Sequence, residues 1–288
     1  MVEIPASMVV KLRKMSGQGM MDCKKSLEES GGNIEEAMSI LRKKGLATLA
    51  RRAERETTQG LVVSKTDSGG KVAVLASLCC ETDFVANSED FTAAADKLAE
   101  YGMACGNDDG VGNLLETEVT GKKFRDVVTE LVSKTGEKTE VGDYAKFRLT
   151  GPGLICTYVH FNRKVGTMLQ IDTADEGTAG TEQMKRTGAD IAMHITATKP
   201  LALDKTGIDA QMIEREKSIY AEQVKSKPAN IVDKIVEGKM KKFYEENCLL
   251  EQKFVKDDTK TVLQVLEDAA KQTGGKATIK RFVRFDVG

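Results

Sequence analysis

Two histidines, His160 and His194, and six cysteines, Cys23, Cys79, Cys80, Cys105, Cys156 and Cys248, are the side chains of this 288-residue chain best suited to acid–base, nucleophilic or metal chemistry. Their spacing organises none of it. A structural zinc site pairs Cys and His ligands at short intervals, and no C-x-x-C pair occurs. A hydrolytic triad needs a nucleophile beside a base that a third group orients, and nothing local to either histidine supplies one. The scattered cysteines read as buried, reduced thiols, with Cys79 and Cys80 on opposite faces of a strand. Gly136-Glu-Lys-Thr139 and Gly274-Gly-Lys-Ala277 lack the full spacing of a phosphate loop. No cofactor and no metal are expected, and a binding protein is favoured over an enzyme.

The remaining side chains of interest suit contact. Thr82, Asp83, Phe84 and Val85 follow a strand, where a rigid sheet can present a tip. Phe84 can equally be a core aromatic and Asp83 a helix cap. His160 falls at a hairpin, as a packing residue or a contact. Adjacent Met20 and Met21, in a glycine-flanked loop, suit an adaptable apolar contact or a small core.

The elements that must position them follow from periodicity. The first 45 residues read as three short helices. Ser7 is expected to cap the first and Asp22 the second, Asn33 and Glu36 form a capping-box pattern, and Gly45 is a stop. Arg51, Arg52 and Arg55 lie in a charged linker, read as a solvated face. A hairpin runs from Gly60 through a turn at Asp67–Gly70 to Leu75, and a similar one from Gly153 through Asn162-Arg163 to Leu169. In both, the second strand begins eleven positions after the opening glycine. Each is followed by a helix-like stretch, Phe91 to Tyr101 and Met184 to Thr196, so two related α+β subdomains packed side by side are expected. Between Ile208 and Asn247, apolar residues at helical spacing (Ile208, Met212, Ile219, then Ile231, Ile235, Phe243) are divided by Lys227-Pro228. With eight charges of each sign, this reads as a projecting helical hairpin. Ala277 to Phe285 alternates as a closing strand, with Ile279, Val283 and Phe285 on one side.

Composition is that of a soluble globular protein: 40% hydrophobic, 30% charged, with 43 basic residues against 44 acidic. That balance argues against broad nucleic-acid binding. No apolar run reaches the ~20 residues of a membrane span, and Met1 to Pro5 lacks the form of a signal peptide. Cytoplasmic location is the default, and an organellar protein stripped of its transit peptide would look the same.

Three stretches in this order resemble the elongation factor Ts family over essentially the whole chain. They are Gly17-Gln-Gly-Met-Met-Asp-Cys-Lys-Lys25, Glu81-Thr-Asp-Phe-Val-Ala86, and Lys227-Pro-Ala-Asn-Ile231 running to Val236-Glu-Gly-Lys-Met-Lys-Lys-Phe243. Tyr158-Val-His160, Lys164-Val-Gly166 and Ile191-Ala-Met-His194 support them. The resemblance implies an α+β fold: a ubiquitin-associated-like helical module with linker (1–55), a subdomain at 56–147, and another at 148–288 interrupted by the hairpin 205–247. It implies elongation factor Tu as partner and release of its GDP as activity, without covalent chemistry. In that reading Phe84 wedges between partner helices, Asp83 disturbs the Mg²⁺ and phosphate surroundings, and Thr82 and Val85 complete the tip. His160 presses near the phosphates, while Arg13, Met20 and Met21 dock on the partner. The hairpin is a dimerisation element in some relatives, which implies a homodimer through 205–247. Members can carry a further C-terminal helical module, and with the chain ending at Asp286-Val-Gly288 its contacts are expected to be absent or replaced. The competing readings are an adaptor for helical or ubiquitin-like partners and an enzyme with an unrecognised site.

Overall fold

The computed structural model describes residues 4–225 and 228–288. Three helices come first, α1 (Ala6–Ser16), α2 (Met20–Glu29) and α3 (Ile34–Arg51). A hairpin of β1 (Gln59–Thr66) and β2 (Val72–Cys80) follows, then the one-turn α4 (Asp83–Ala86), α5 (Glu89–Ala104) and α6 (Val111–Glu116). The short strands β3 (Glu118–Val119) and β4 (Lys122–Lys123) lead into α7 (Phe124–Thr135) and β5 (Thr139–Arg148). Next are β6 (Gly153–Val159), β7 (Val165–Thr173), α8 (Glu176–Gly180), α9 (Glu182–Thr198) and the helical pair α10 (Ala210–Gln223) and α11 (Ala229–Asn247). The chain closes with β8 (Lys253–Phe254), β9 (Asp257–Thr261), α12 (Val262–Gln272) and β10 (Ala277–Asp286).

The fold is α+β, with two antiparallel sheets ordered β1-β2-β5 and β10-β7-β6. Strand β2 is buried along nearly its whole length because both its faces are covered. Val74, Ala76, Leu78 and Cys80 meet α5 and α7, among them Phe91, Leu98, Leu131 and Val132. Ala73, Leu75 and Cys79 face the other way and join Phe147, Ile155, Met168 and Val287. The second sheet repeats the arrangement, with Leu154, Leu169 and Ile171 against Ile191 of α9 and Leu266 of α12. The two halves therefore pack sheet against sheet, with their helices outside, and not merely side by side.

Several local expectations are corrected. Pro5, extended at ψ 138°, holds the cap position of α1, so Ser7 lies inside the helix. Gly19 stands at the start of α2 and Asp22 is in its first turn, where a negative charge meets the exposed N–H groups. Asn33 caps α3 as expected, accepting from the N–H groups of Glu35 and Glu36. Gly45 does not stop α3. A Cβ there would lie 2.8 Å from the Thr129 carbonyl oxygen, so glycine lets α3 cross α7 at close range. The Ser133 hydroxyl donates to the Leu41 carbonyl across that crossing (3.2 Å).

In α10 and α11 the helical pairing holds, but its contact residues shift. Met240 and Phe243 are buried with Ile213, Tyr220 and Val236 against them. Met212, Ile219 and Ile231 are exposed. The dividing Lys227 lies outside the described residues, and Pro228 opens α11. A register shift in β10 between Ile279 and Arg281 breaks the expected alternation. Ile279 and Phe282 consequently share the helix-facing side, while Val283 and Phe285 turn to the sheet interface.

Candidate functional site

Strand β2 ends at Cys80, and the chain turns at once into the single helical turn of α4. Thr82 caps that turn, its hydroxyl oxygen accepting from the Val85 N–H (3.4 Å). Ala86 is buried and Val85 packs on the core, which directs the other two side chains outward. Asp83 is exposed and Phe84 is 85% exposed. The core-aromatic reading of Phe84 is thereby set aside. A ring this bare in a polar setting costs solvation free energy unless a partner covers it.

Two glutamates brace the root of this tip. Glu137, just after α7, accepts from the Thr82 N–H (3.1 Å) and the Thr82 hydroxyl (2.7 Å). Glu81 accepts from Arg52 (2.7 and 2.9 Å), Arg55 (3.0 Å) and the Lys138 N–H (2.7 Å). Burial pushes the Glu81 carboxyl up, but the Lys138 N–H and the two guanidinium groups outweigh it and hold it below its ordinary value. Of the linker arginines expected on a solvated face, Arg51 and Arg55 stay exposed and Arg52 is half-buried. Through Glu81, Arg52 and Arg55 join the end of α3 to the start of the tip.

His160 sits in the β6–β7 turn, with Nδ1 3.1 Å from the Tyr158 hydroxyl. That turn is fastened to the first half of the molecule. The Val62 N–H of β1 donates to the Arg163 carbonyl (2.6 Å), Arg163 pairs with Asp96 of α5 (2.6 Å), and Lys164 reaches Gln59 (2.9 Å). Since α4 also packs on β1 and α5, the Asp83–Phe84 tip and the His160 turn are both anchored to the same strand and helix. Phe161, beside His160 with ring centroids 4.4 Å apart, is 89% exposed. Sequence reading missed it, although an aromatic between His160 and Asn162 in a turn is a usable signal. Nothing local could have revealed Glu137, 55 residues from Thr82.

Arg13, Met20 and Met21 lie apart from these, on the three-helix module. Arg13 is exposed, as are Met20 and Met21, and neither methionine joins the module's core of Val9, Leu12, Cys23 and Leu27. Met15 is exposed as well. The module rests on the body through α3 and α7, with Arg42 paired to Asp126.

Comparisons with known proteins identify the family. The family model described as elongation factor TS matches residues 81–288, from the root of the tip onward. A protein of Nitratiruptor named elongation factor Ts is 40% identical over 99% of this chain and 93% of its own length. The chain belongs to the elongation factor Ts family. Its relative of that name in Chlorobium phaeobacteroides is 37% identical with both chains covered end to end. Another, from Nitratidesulfovibrio vulgaris, is 38% identical over 99% of this chain and 96% of its own. The three-helix module lies outside the family-model match and inside these full-length alignments. The family is one of nucleotide-exchange factors, so the chain catalyses no covalent chemistry. Among the described residues no His, Cys, Asp and Glu cluster could hold a metal ion, and no helix is long and apolar enough to cross a membrane.

Proposed function

We propose that this chain releases GDP from elongation factor Tu by pressing the Asp83–Phe84 tip and the His160 turn against the partner's nucleotide site. The observation that carries the reading is Phe84, 85% exposed on a turn braced by Glu137. An exposed ring on a rigid mount loses little conformational freedom on docking, so its burial is available for displacing partner helices. Asp83 beside it brings a negative charge towards the Mg²⁺ and phosphates, the largest charges in such a site. Thr82 and Val85 fix the direction in which the two point. Arg13, Met20 and Met21 hold the partner through the module, and the units 1–55, 56–147 and 148–288 with its hairpin 205–247 divide this work.

Exchange needs no general base. A factor that binds the nucleotide-free partner more tightly than the GDP complex must weaken GDP by the same ratio. Elongation factor Tu loaded with a fluorescent GDP analogue tests the proposal, with substoichiometric factor and excess unlabelled GDP. Phe84→Ala should slow release on the order of tenfold or more, as loss of an interface anchor does, while its unfolding midpoint stays put. Unchanged release by a well-folded variant would remove the tip from the mechanism.

A further inference from the structure

Two side chains stand apart from the rest of the apolar surface. Phe84 and Phe161 are the barest large hydrophobic side chains among the described residues, at 85% and 89% exposure, and the next, Met21, reaches 62%. The other seven phenylalanines are buried or half-buried. Phe84 belongs to the tip, whereas Phe161 has no role in it. Its mount is nonetheless as firm. Phe161 follows His160 in a turn closed by two backbone bonds: the Arg163 N–H donates to the His160 carbonyl (2.7 Å) and the His160 N–H to the Val165 carbonyl (2.9 Å). Arg163 is in the left-handed region (φ 56°), which a non-glycine residue keeps where its surroundings fix it. Here the Val62 N–H and Asp96 do so.

The register of the first sheet places this turn close to the tip. Gln59 pairs with Cys80, where β2 ends and the tip begins, and Lys164 reaches Gln59 itself (2.9 Å). Val62, which bonds to Arg163, lies three residues further along β1, or about 10 Å at the rise of a strand. An interface of ordinary size covers about 800 Å² on each partner, so a partner seated on Phe84 is within reach of the turn as well. We infer that Phe161 is a second anchor for elongation factor Tu, one that sets how tightly the partner is held and not how fast its GDP leaves. The inference rests on the reading that the tip and the His160 turn meet that partner. The division of labour follows from charge. The Phe161 ring brings none towards the nucleotide, and the charged groups lining the hollow beside it are paired with one another, Arg163 with Asp96 (2.6 Å) and Lys65 with Glu100 (3.4 Å). A purely apolar contact of this kind is equally good with GDP in place and with GDP gone. Such uniform binding changes the concentration of factor needed and leaves the maximal rate alone.

Elongation factor Tu carrying a fluorescent GDP analogue, mixed with a rising excess of the full chain, gives a plateau rate of release and the factor concentration at half-plateau. Phe161→Ala should raise that concentration about tenfold, the loss expected of an interface anchor, with the plateau unchanged. Phe161→Leu, which keeps an apolar side chain, should recover most of the affinity. Neither substitution should shift the unfolding midpoint, because the ring is almost wholly exposed. An unchanged half-plateau concentration in Phe161→Ala would overturn the inference, since no partner then covers the ring. A lowered plateau in the same variant would refute it equally, by reducing Phe161 to a support that aligns His160. Failure of Phe161→Leu to recover affinity would rule out apolar burial as its source. Phe84→Ala, measured alongside, keeps the two readings apart: a plateau that it leaves unchanged removes the tip from exchange, while the anchor is judged on the half-plateau concentration of Phe161→Ala.

Discussion

The Val255 N–H donates to Nδ1 of His194 (3.2 Å), which places the ring proton on Nε2, facing the Gln252 side-chain oxygen at 3.0 Å. His194 is fully buried and so kept neutral: burial lowers its pKa and the bond to Gln252 only partly offsets this. The sign of the pH effect follows. Below the ordinary histidine value the unfolded chain takes up a proton that the folded chain refuses. Stability is thus complete above about pH 6.5 and lost as pH falls, at up to about 1.4 kcal/mol per pH unit. Urea unfolding at pH 7.5, 6 and 5 should show the decline, and His194→Gln should flatten it. An equal slope in that variant would assign the acid sensitivity to other groups. By residue type and local spacing His194 and His160 look alike, and only the family resemblance singled out His160, because what separates them physically is burial and partners distant in the chain. The same holds for Phe84, whose exposure depends on Val85 and Ala86 turning inward beside it.

Element α4 is a single turn, too short to hold its shape by its own hydrogen bonds. Its geometry depends on Glu137, which holds both the N–H and the hydroxyl of its cap residue. Glu137→Ala should therefore lower the maximal rate of GDP release at saturating factor on the order of tenfold, since a slightly misplaced group loses most of its effect. The factor concentration giving half-maximal rate should change little, because the contacts proposed for the module are untouched by this substitution. Glu137→Gln, which still accepts a bond from Thr82, should recover part of the rate. A rate loss tracking only the unfolded fraction would reduce Glu137 to a structural role. Helices and hairpins with clean periods were legible in the sequence: α5, α9, β1, β2, β6 and β7 fall where the spacing puts them. Strand β5 was not, and Lys146 shows why. A lysine mid-strand reads as solvent-facing, yet its ammonium is buried, donating to the carbonyls of Gly102 (3.1 Å), Met103 (2.5 Å) and Cys105 (2.7 Å) at the end of α5. Gly45 misled for a related reason. A glycine that ends a helix and one that admits a neighbouring helix look alike until the neighbour is known.

Across the whole molecule, the sheet interface binds the halves more closely than the repeat alone implied. Leu75 and Phe147 come from one half and Ile155 and Met168 from the other, so neither sheet has a covered second face by itself. Met168→Ala should cost about 2–5 kcal/mol, the range for emptying a buried methionine site. Amide exchange should then accelerate in β1 and β2 as well as in β6 and β7. Acceleration confined to the second sheet would mean that the halves unfold independently. The same partition of the interior gives the thiols a use unrelated to exchange. Cys23 lies in the module core, Cys80 and Cys105 under the helices of the first half, Cys79 between the sheets, Cys156 beside the second helical layer and Cys248 at the foot of the α10–α11 pair. Every cluster thus carries its own alkylation target, and five of the six are buried. Mass-resolved labelling of the unaltered chain can time the opening of each compartment separately, with no reporter introduced.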